Sequence, residues 1–136
     1  MLELRDLTVA YGPVVAVHNL NLRVDKGELV TILGANGAGK STTLMAISGL
    51  APAKSGEIHF QDKRIDQLKS YEIVRLGITQ SPEGRRVFGP MTVEENLLLG
   101  AFTEKDEKTI HKRLGWIYEQ FPRLDERSGQ ILSLLH

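Results

Sequence analysis

Residues 32–44 read ILGANGAGKSTTL, and Gly34-Ala35-Asn36-Gly37-Ala38-Gly39-Lys40-Ser41 within them fit the pattern G-x-x-x-x-G-K-[ST]. These residue types suit one chemical task. Small residues let consecutive backbone N–H groups wrap an anion, and a helix starting at Lys40 aims its N-terminal dipole and unpaired amides at the same oxygens. Lys40 adds a mobile cation suited to β- and γ-phosphates, and the Ser41 hydroxyl is a ligand type for Mg²⁺. Gly34 through Ser41, with Thr42 beside them, are the candidate nucleotide-binding residues; Lys40 is the candidate catalytic cation and Ser41 the candidate metal ligand. The competing reading is a glycine-rich strand-to-helix turn with a solvated lysine. It requires an apolar strand, the glycines, Lys-Ser and a helix all to coincide by chance.

The elements that must position this loop follow from patterning. Residues 29–33 (LVTIL) are nearly all apolar, as expected of a parallel strand covered on both faces. Residues 40–48 are helix-like, with Leu44 and Ile47 on one face and Gly49 as the stop. Upstream, 2–9 alternate as a half-buried strand, Tyr11-Gly12-Pro13 is a turn, 14–17 form a short second strand and 20–24 another, followed by a turn at 25–28. Downstream, 57–60 read as a strand, 70–76 as a short helix closed by Gly77, and Ile78 begins a further strand. SPEGRRVFGP (81–90) is a polar loop, and Thr92-Val93-Glu94-Glu95 is a capping box for a helix through about Leu99. From Glu104 a longer helix places Ile110, Leu114, Ile117 and Phe121 on one face, and Pro122 ends it. Met45, Met91 and Trp116 read as packing residues.

Composition narrows the function classes. The 136 residues suffice for one hydrophobic core, and 41% apolar with 25% charged residues is the profile of a globular domain. Seventeen basic and seventeen acidic residues cancel, which gives no global argument for nucleic acid or for an anionic membrane. Cysteine is absent, so disulfides and thiolate metal sites are excluded. The four histidines have no spacing that suits a metal. No apolar run approaches the roughly 20 residues that span a bilayer, so no direct membrane insertion is expected.

LTVAYG (7–12), GELVTILGANGAGKSTTL (27–44), SGEIHF (55–60) and PEGRRVFGPMTVEENLLLGAF (82–102) together resemble the ATP-binding subunit of an ABC transporter. PEGRRVF, MTVEENL and the later FPRL (121–124) are most similar to the branched-chain amino acid importer subfamily. The resemblance covers nearly all of residues 1–130. It implies an α/β phosphate-loop NTPase of the ABC type, with an antiparallel β region (1–30), a partial RecA-like phosphate-loop core (29–80), and a Q-loop with the start of a helical subdomain (81–136). It also implies ATP and Mg²⁺ as ligands, and transmembrane permease subunits and a second ATP-binding subunit as partners. The implied place is the cytoplasmic face of the membrane, peripheral and held through the permeases. In this family an aromatic residue upstream of the loop stacks on adenine, and Tyr11 holds that place. A second element, usually glutamine, reaches the Mg²⁺ and the attacking water. Glu83 matches its spacing from MTVEEN, and Gln80 is the alternative as the literal glutamine. Arg85 and Arg86 suit either a permease contact or plain solvation.

Departures from the family pattern bear on turnover. An LSGGQ-like signature, an acidic Mg²⁺-binding strand end, a water-polarising glutamate and a switch histidine are expected further along, and Ser128-Gly129-Gln130 in RSGQILSLLH resembles the signature only superficially. The chain therefore reads as an N-terminal fragment that holds ATP and turns it over weakly or not at all. Other readings are a remnant that binds nucleotide at most, a non-transport ABC-type ATPase, and a small-molecule kinase. The kinase would need an acceptor pocket and an arginine-rich lid, and it leaves Tyr11 and MTVEENL without a role.

Overall fold

β1 (Leu2–Tyr11) and β2 (Val14–Val24) form an antiparallel hairpin across Gly12-Pro13, with Tyr11 paired to Val14 and Leu2 to Val24. Sequence alternation breaks at Arg5-Asp6, and there the ladder bulges: its register shifts between Leu4 and Leu7. The extra residue lets both of these leucines, three apart, face the core. Asp6 and Asn19 take positive φ, 48° and 44°, a conformation that short polar side chains tolerate best. The bulge is clasped by side chains. Asn21 Nδ2 donates to Asp6 Oδ1 (2.9 Å), and the Asn19 N–H donates to Thr8 Oγ1 (3.1 Å). The residues expected as two short strands, 14–17 and 20–24, are thus one continuous strand.

β3 (Ser55–Phe60) joins the other edge of β1, and a two-residue β4 (Lys63–Arg64) completes a sheet of order β2-β1-β3-β4. Gly56 is demanded by close approach, because a Cβ there would collide with the Arg5 and Asp6 carbonyls at the bulge. Gln61 and Asp62 turn the β3–β4 hairpin at φ 48° and 64°, as a mirror-image turn requires. α1 (Lys40–Ile47) lays Thr43, Ala46 and Ile47 inward, and Ala46 and Ile47 pack with Leu4, Leu7, Val9, Val17, Ile58 and Ile65. Each fully buried Leu, Ile or Val in that cluster contributes about 1.5–3 kcal/mol. Leu44 is exposed, so the inward face of α1 runs through 43, 46 and 47 rather than 44 and 47. α2 (Ser70–Arg75) sets Ile73 against Gly49 at the end of α1.

The computed structural model describes residues 1–35, 37, 39–84 and 86–134, and the chain divides into two compact units, Met1–Ser81 and Pro82–His136. In the second unit, α3 (Val93–Leu99) starts at the expected capping box: Thr92 Oγ1 accepts from the Glu95 N–H (3.2 Å) and Glu95 Oε2 from the Thr92 N–H (2.8 Å). α4 (Glu107–Gln120) begins three residues later than expected, capped by Asp106, and Pro122 both ends it and opens a short α5 (Pro122–Glu126). Ile110, Leu114 and Ile117 line a groove of about 350 Å³ between α3 and α4. Phe121 and Trp116 are expected on the packed side but are 58% and 60% exposed; α4 presents more apolar surface than its groove with α3 covers.

The expected parallel strand at 29–33 is not formed. Val30 and Ile32 are half-buried, but Leu29 and Leu33 are 94% and 87% exposed. Among the described residues no strand pairs with this segment, nor with the one expected from Ile78. A parallel strand draws its ladder and its second covered face from neighbours, so an apolar run without them keeps only the side that meets its own core.

Candidate functional site

The glycine loop leads straight into α1, and Gly39 is the hinge between them. Gly39 sits at φ 86°, buried, and any Cβ there would land on the Ala16 carbonyl of β2, with Val17 Cγ2 also in reach. β2 is therefore the wall against which the loop's last turn is pressed. From inside the helix, Thr43 Oγ1 donates to the Gly39 carbonyl at 2.8 Å, alongside the helical Thr43 N–H at 2.8 Å. The Lys40 ammonium turns back over the loop and donates to the Gly34 carbonyl. The N-cap of α1 is Gly39, which has no side chain to offer, and the first turn of α1 holds no acidic residue. No carboxylate of that turn therefore offsets the positive end of the helix dipole, which an anion seeks.

The remaining candidates are distributed unevenly. Gly34, Ala35, Gly37 and Ser41 are exposed, Lys40 and Thr42 are half-buried, and Asn36 and Ala38 lie outside the described residues. Tyr11 closes β1 and is 49% exposed, five residues before the Ala16 that backs Gly39. The hairpin thereby brings a half-open aromatic ring to the same end of the sheet as the loop. Gln80 points elsewhere: its Oε1 accepts from Ser48 Oγ at 2.8 Å. Ser48 caps the far end of α1, about 10 Å along the helix from Ser41 at 1.5 Å per residue. Glu83 belongs to the second unit, where its carbonyl accepts from Arg86 Nε at 3.3 Å; Arg85 lies outside the described residues. Among the described residues no group of His, Cys, Asp or Glu is arranged to hold a metal.

Several residues that hold the site carry no local sequence signal. Ala16 and Val17 matter because a backbone passes them, not because of their type. Ser48 and Gln80 meet across 32 positions. Thr43 was legible only as part of the GKSTTL run. In the second unit, Ser128-Gly129-Gln130 folds back on the start of α3: the Ser128 and Gln130 carbonyls accept from the Glu94 and Val93 N–H groups, at 3.0 and 3.1 Å. The segment satisfies amides that a helix N-terminus would otherwise leave unpaired.

A glycine loop closed by its own lysine at the mouth of a helix, braced by an antiparallel sheet, places the chain in the phosphate-loop class. The ABC transporter family model matches residues 17–133, and the chain belongs to that family. It is 45% identical over 96% of its length to the high-affinity branched-chain amino acid transport ATP-binding protein BraG of Pseudomonas aeruginosa, covering 55% of that protein. It is 32% identical over 91% of its length to a probable branched-chain amino acid transport ATP-binding protein, LivF, of Archaeoglobus fulgidus, covering 52% of it. The chain thus spans about half the length of these curated relatives. Among solved structures, an ATP binding subunit of an ABC transporter superposes with a TM-score of 0.88 at 30% identity, over all of this chain and 56% of that one. A nucleotide-free ATP-binding cassette from an ABC transporter gives 0.78 at 25%, over all of this chain and 59% of that one.

Proposed function

We propose that this chain binds ATP with Mg²⁺ through residues 34–42, as the nucleotide-holding part of an ABC importer for branched-chain amino acids. One observation carries the reading: Gly39 is wedged against β2 while Lys40 folds back over the loop at the start of α1. That arrangement gathers backbone N–H donors and one cation where a polyphosphate needs them, and it offers little to a neutral ligand. Tyr11 supplies a ring for the adenine, a contact of about 1–3 kcal/mol by analogy with base–aromatic stacking. Ser41 offers its hydroxyl to the Mg²⁺ and the phosphate oxygens supply further ligands; among the described residues no group of three or more His, Cys, Asp or Glu is arranged to hold a metal by itself.

Of the two candidates for the water-side position, Glu83 is preferred, because the Gln80 side chain is engaged at the opposite end of α1 from Ser41. The division into a β region (1–30), a phosphate-loop core (29–80) and a Q-loop with helical subdomain start (81–136) belongs to the same proposal. So do permease subunits and a second ATP-binding subunit as partners, and a peripheral place at the cytoplasmic face. No helix of the described residues is long and apolar enough to cross a membrane.

Equilibrium binding measured by calorimetry tests the reading. Mg-ATP is expected to bind far more tightly than AMP, because the loop reads the β- and γ-phosphates. Lys40→Ala is expected to weaken Mg-ATP binding about 10–100-fold, the range for losing one charge-assisted set of hydrogen bonds. Equal affinity for ATP and AMP, or an unchanged Lys40→Ala variant, would overturn it.

A further inference from the structure

We propose that the Ser48–Gln80 hydrogen bond is a positioning link. It ties the helix that begins at the phosphate loop to the stem of the loop that carries Glu83. The inference rests on the nucleotide site proposed above and adds to it a route out of that site. α1 is short: Lys40 and Ser41 stand at one end, and Ser48 caps the other. A helix of this length moves as one piece, so a displacement of its first turn on closing over phosphate is also felt at its last. At that last turn Ser48 Oγ donates to Gln80 Oε1 at 2.8 Å, in a part-buried setting.

The segment that receives this bond is otherwise lightly held. Ile78 is half-buried against the core and its N–H makes a long 3.4 Å bond to the Ile73 carbonyl, while Thr79 is exposed. It belongs to no strand. Among the described residues Gln80 is thus a side-chain anchor of residues 78–81, where the chain leaves the first unit, and Glu83 follows three residues later. Chain connectivity alone gives the anchor influence over Glu83. Gln80 is a positioning residue, acting through Ser48 and touching no reacting atom.

Hydrogen–deuterium exchange on the full 136-residue chain, with and without Mg-ATP, tests this. Without nucleotide, Ser48→Ala and Gln80→Leu are each expected to speed exchange at residues 78–81 about fivefold while β1 keeps wild-type rates. With Mg-ATP, the wild type is expected to slow at 78–81. The two variants should bind Mg-ATP within about twofold of wild type yet lose that slowing. Ser48→Thr, which keeps the hydroxyl, should restore both behaviours, and the double variant should be no worse than either single one. Failure of the wild type to bind Mg-ATP overturns the function proposed above, and the nucleotide-free comparison then decides the link alone. Wild-type exchange at 78–81 in both variants overturns the link. Joint loss of β1 protection and nucleotide binding also overturns it, by making the pair a fold element only.

Discussion

At the scale of single residues, the phosphate loop depends on a position where only hydrogen fits. Gly39 combines a left-handed backbone, φ 86°, with a neighbour, the Ala16 carbonyl, that occupies the place of a Cβ. Gly39→Ala therefore incurs both backbone strain and a clash with backbone that cannot rotate away. Together these should cost roughly 2–4 kcal/mol. Urea denaturation should show that loss, and phosphate-loop binding should fall with it, since relief of the clash displaces β2 or opens the first turn of α1. A midpoint within a few tenths of wild type would show that β2 yields easily and is no wall. The pattern G-x-x-x-x-G-K-[ST] made Gly39 legible as a residue needed for phosphate approach. It did not show that the same glycine is required by β2, because that contact comes from a segment 23 residues upstream. The choice between Glu83 and Gln80 was open in the sequence for a similar reason. Spacing placed Glu83 and residue type favoured Gln80; the structure adds that Gln80 is bonded to Ser48 at the far end of α1.

At the scale of elements, local chemistry was legible and partnership was not. MTVEENL shows the first half: Thr92 and Glu95 cap α3 as their spacing predicts, and Val93 is buried. Asn96 then clamps the preceding loop, its Nδ2 donating to the Phe88 carbonyl (3.1 Å) and its Oδ1 accepting the Phe88 N–H (2.9 Å). Thr92→Ala should destabilise the second unit by about 1 kcal/mol, the usual value of an N-cap, and Thr92→Ser should recover most of it. Protection of the α3 amides against exchange measures this directly; a silent Thr92→Ala would mean that the Ser128 and Gln130 carbonyls hold the helix start by themselves. Residues 29–33 show the second half. Their composition predicts a strand that the structure does not form: strand formation is a property of a pair, and no pairing partner is present among the described residues. Trp116 failed as a packing expectation for the same cause: its helix was identified, but not how much of it a neighbour covers. The bulge in β1 was visible only as the break in alternation at Arg5-Asp6, a signal that becomes a reading once β2 and β3 are seen to bend around it.

At the scale of the whole molecule, equal numbers of basic and acidic residues conceal an ordered arrangement of charge. Across the open face of the sheet, register pairs Arg23 with Glu3, Glu3 with His59, and His59 with Arg64, while Arg5 stands opposite Glu57. Glu57 takes the His59 ring nitrogen at 2.7 Å and Arg64 at 3.0 Å, and these two partners hold its carboxyl below the ordinary glutamate value. The Arg5 guanidinium does the same for Glu3. Burial pushes Asp66 the other way, but Arg64 and the Ile58 amide outweigh it and its value is lowered. In the second unit the Thr109 hydroxyl and the Lys108 amide lower Asp106. Each of these carboxyls is more acidic folded than unfolded, so each stabilises the fold at neutral pH. That contribution is complete above the ordinary values of 4.5 for glutamate and 3.8 for aspartate, and it is lost as pH falls through the lowered folded values. Protonation also leaves the basic groups uncompensated, so self-repulsion grows over the same window. Thermal unfolding should therefore hold steady down to about pH 5 and fall steeply towards about pH 3 in both units. Glu57→Gln should lower the neutral-pH midpoint slightly, because the pairs it breaks are solvent-exposed, and should flatten the acid slope of the first unit while leaving that of the second unchanged. Raising the salt concentration should shrink the difference between variant and wild type at neutral pH. An acid slope that Glu57→Gln leaves untouched would place the acid sensitivity of the first unit in Glu3 and in Asp66, whose carboxylate is buried beside Arg64.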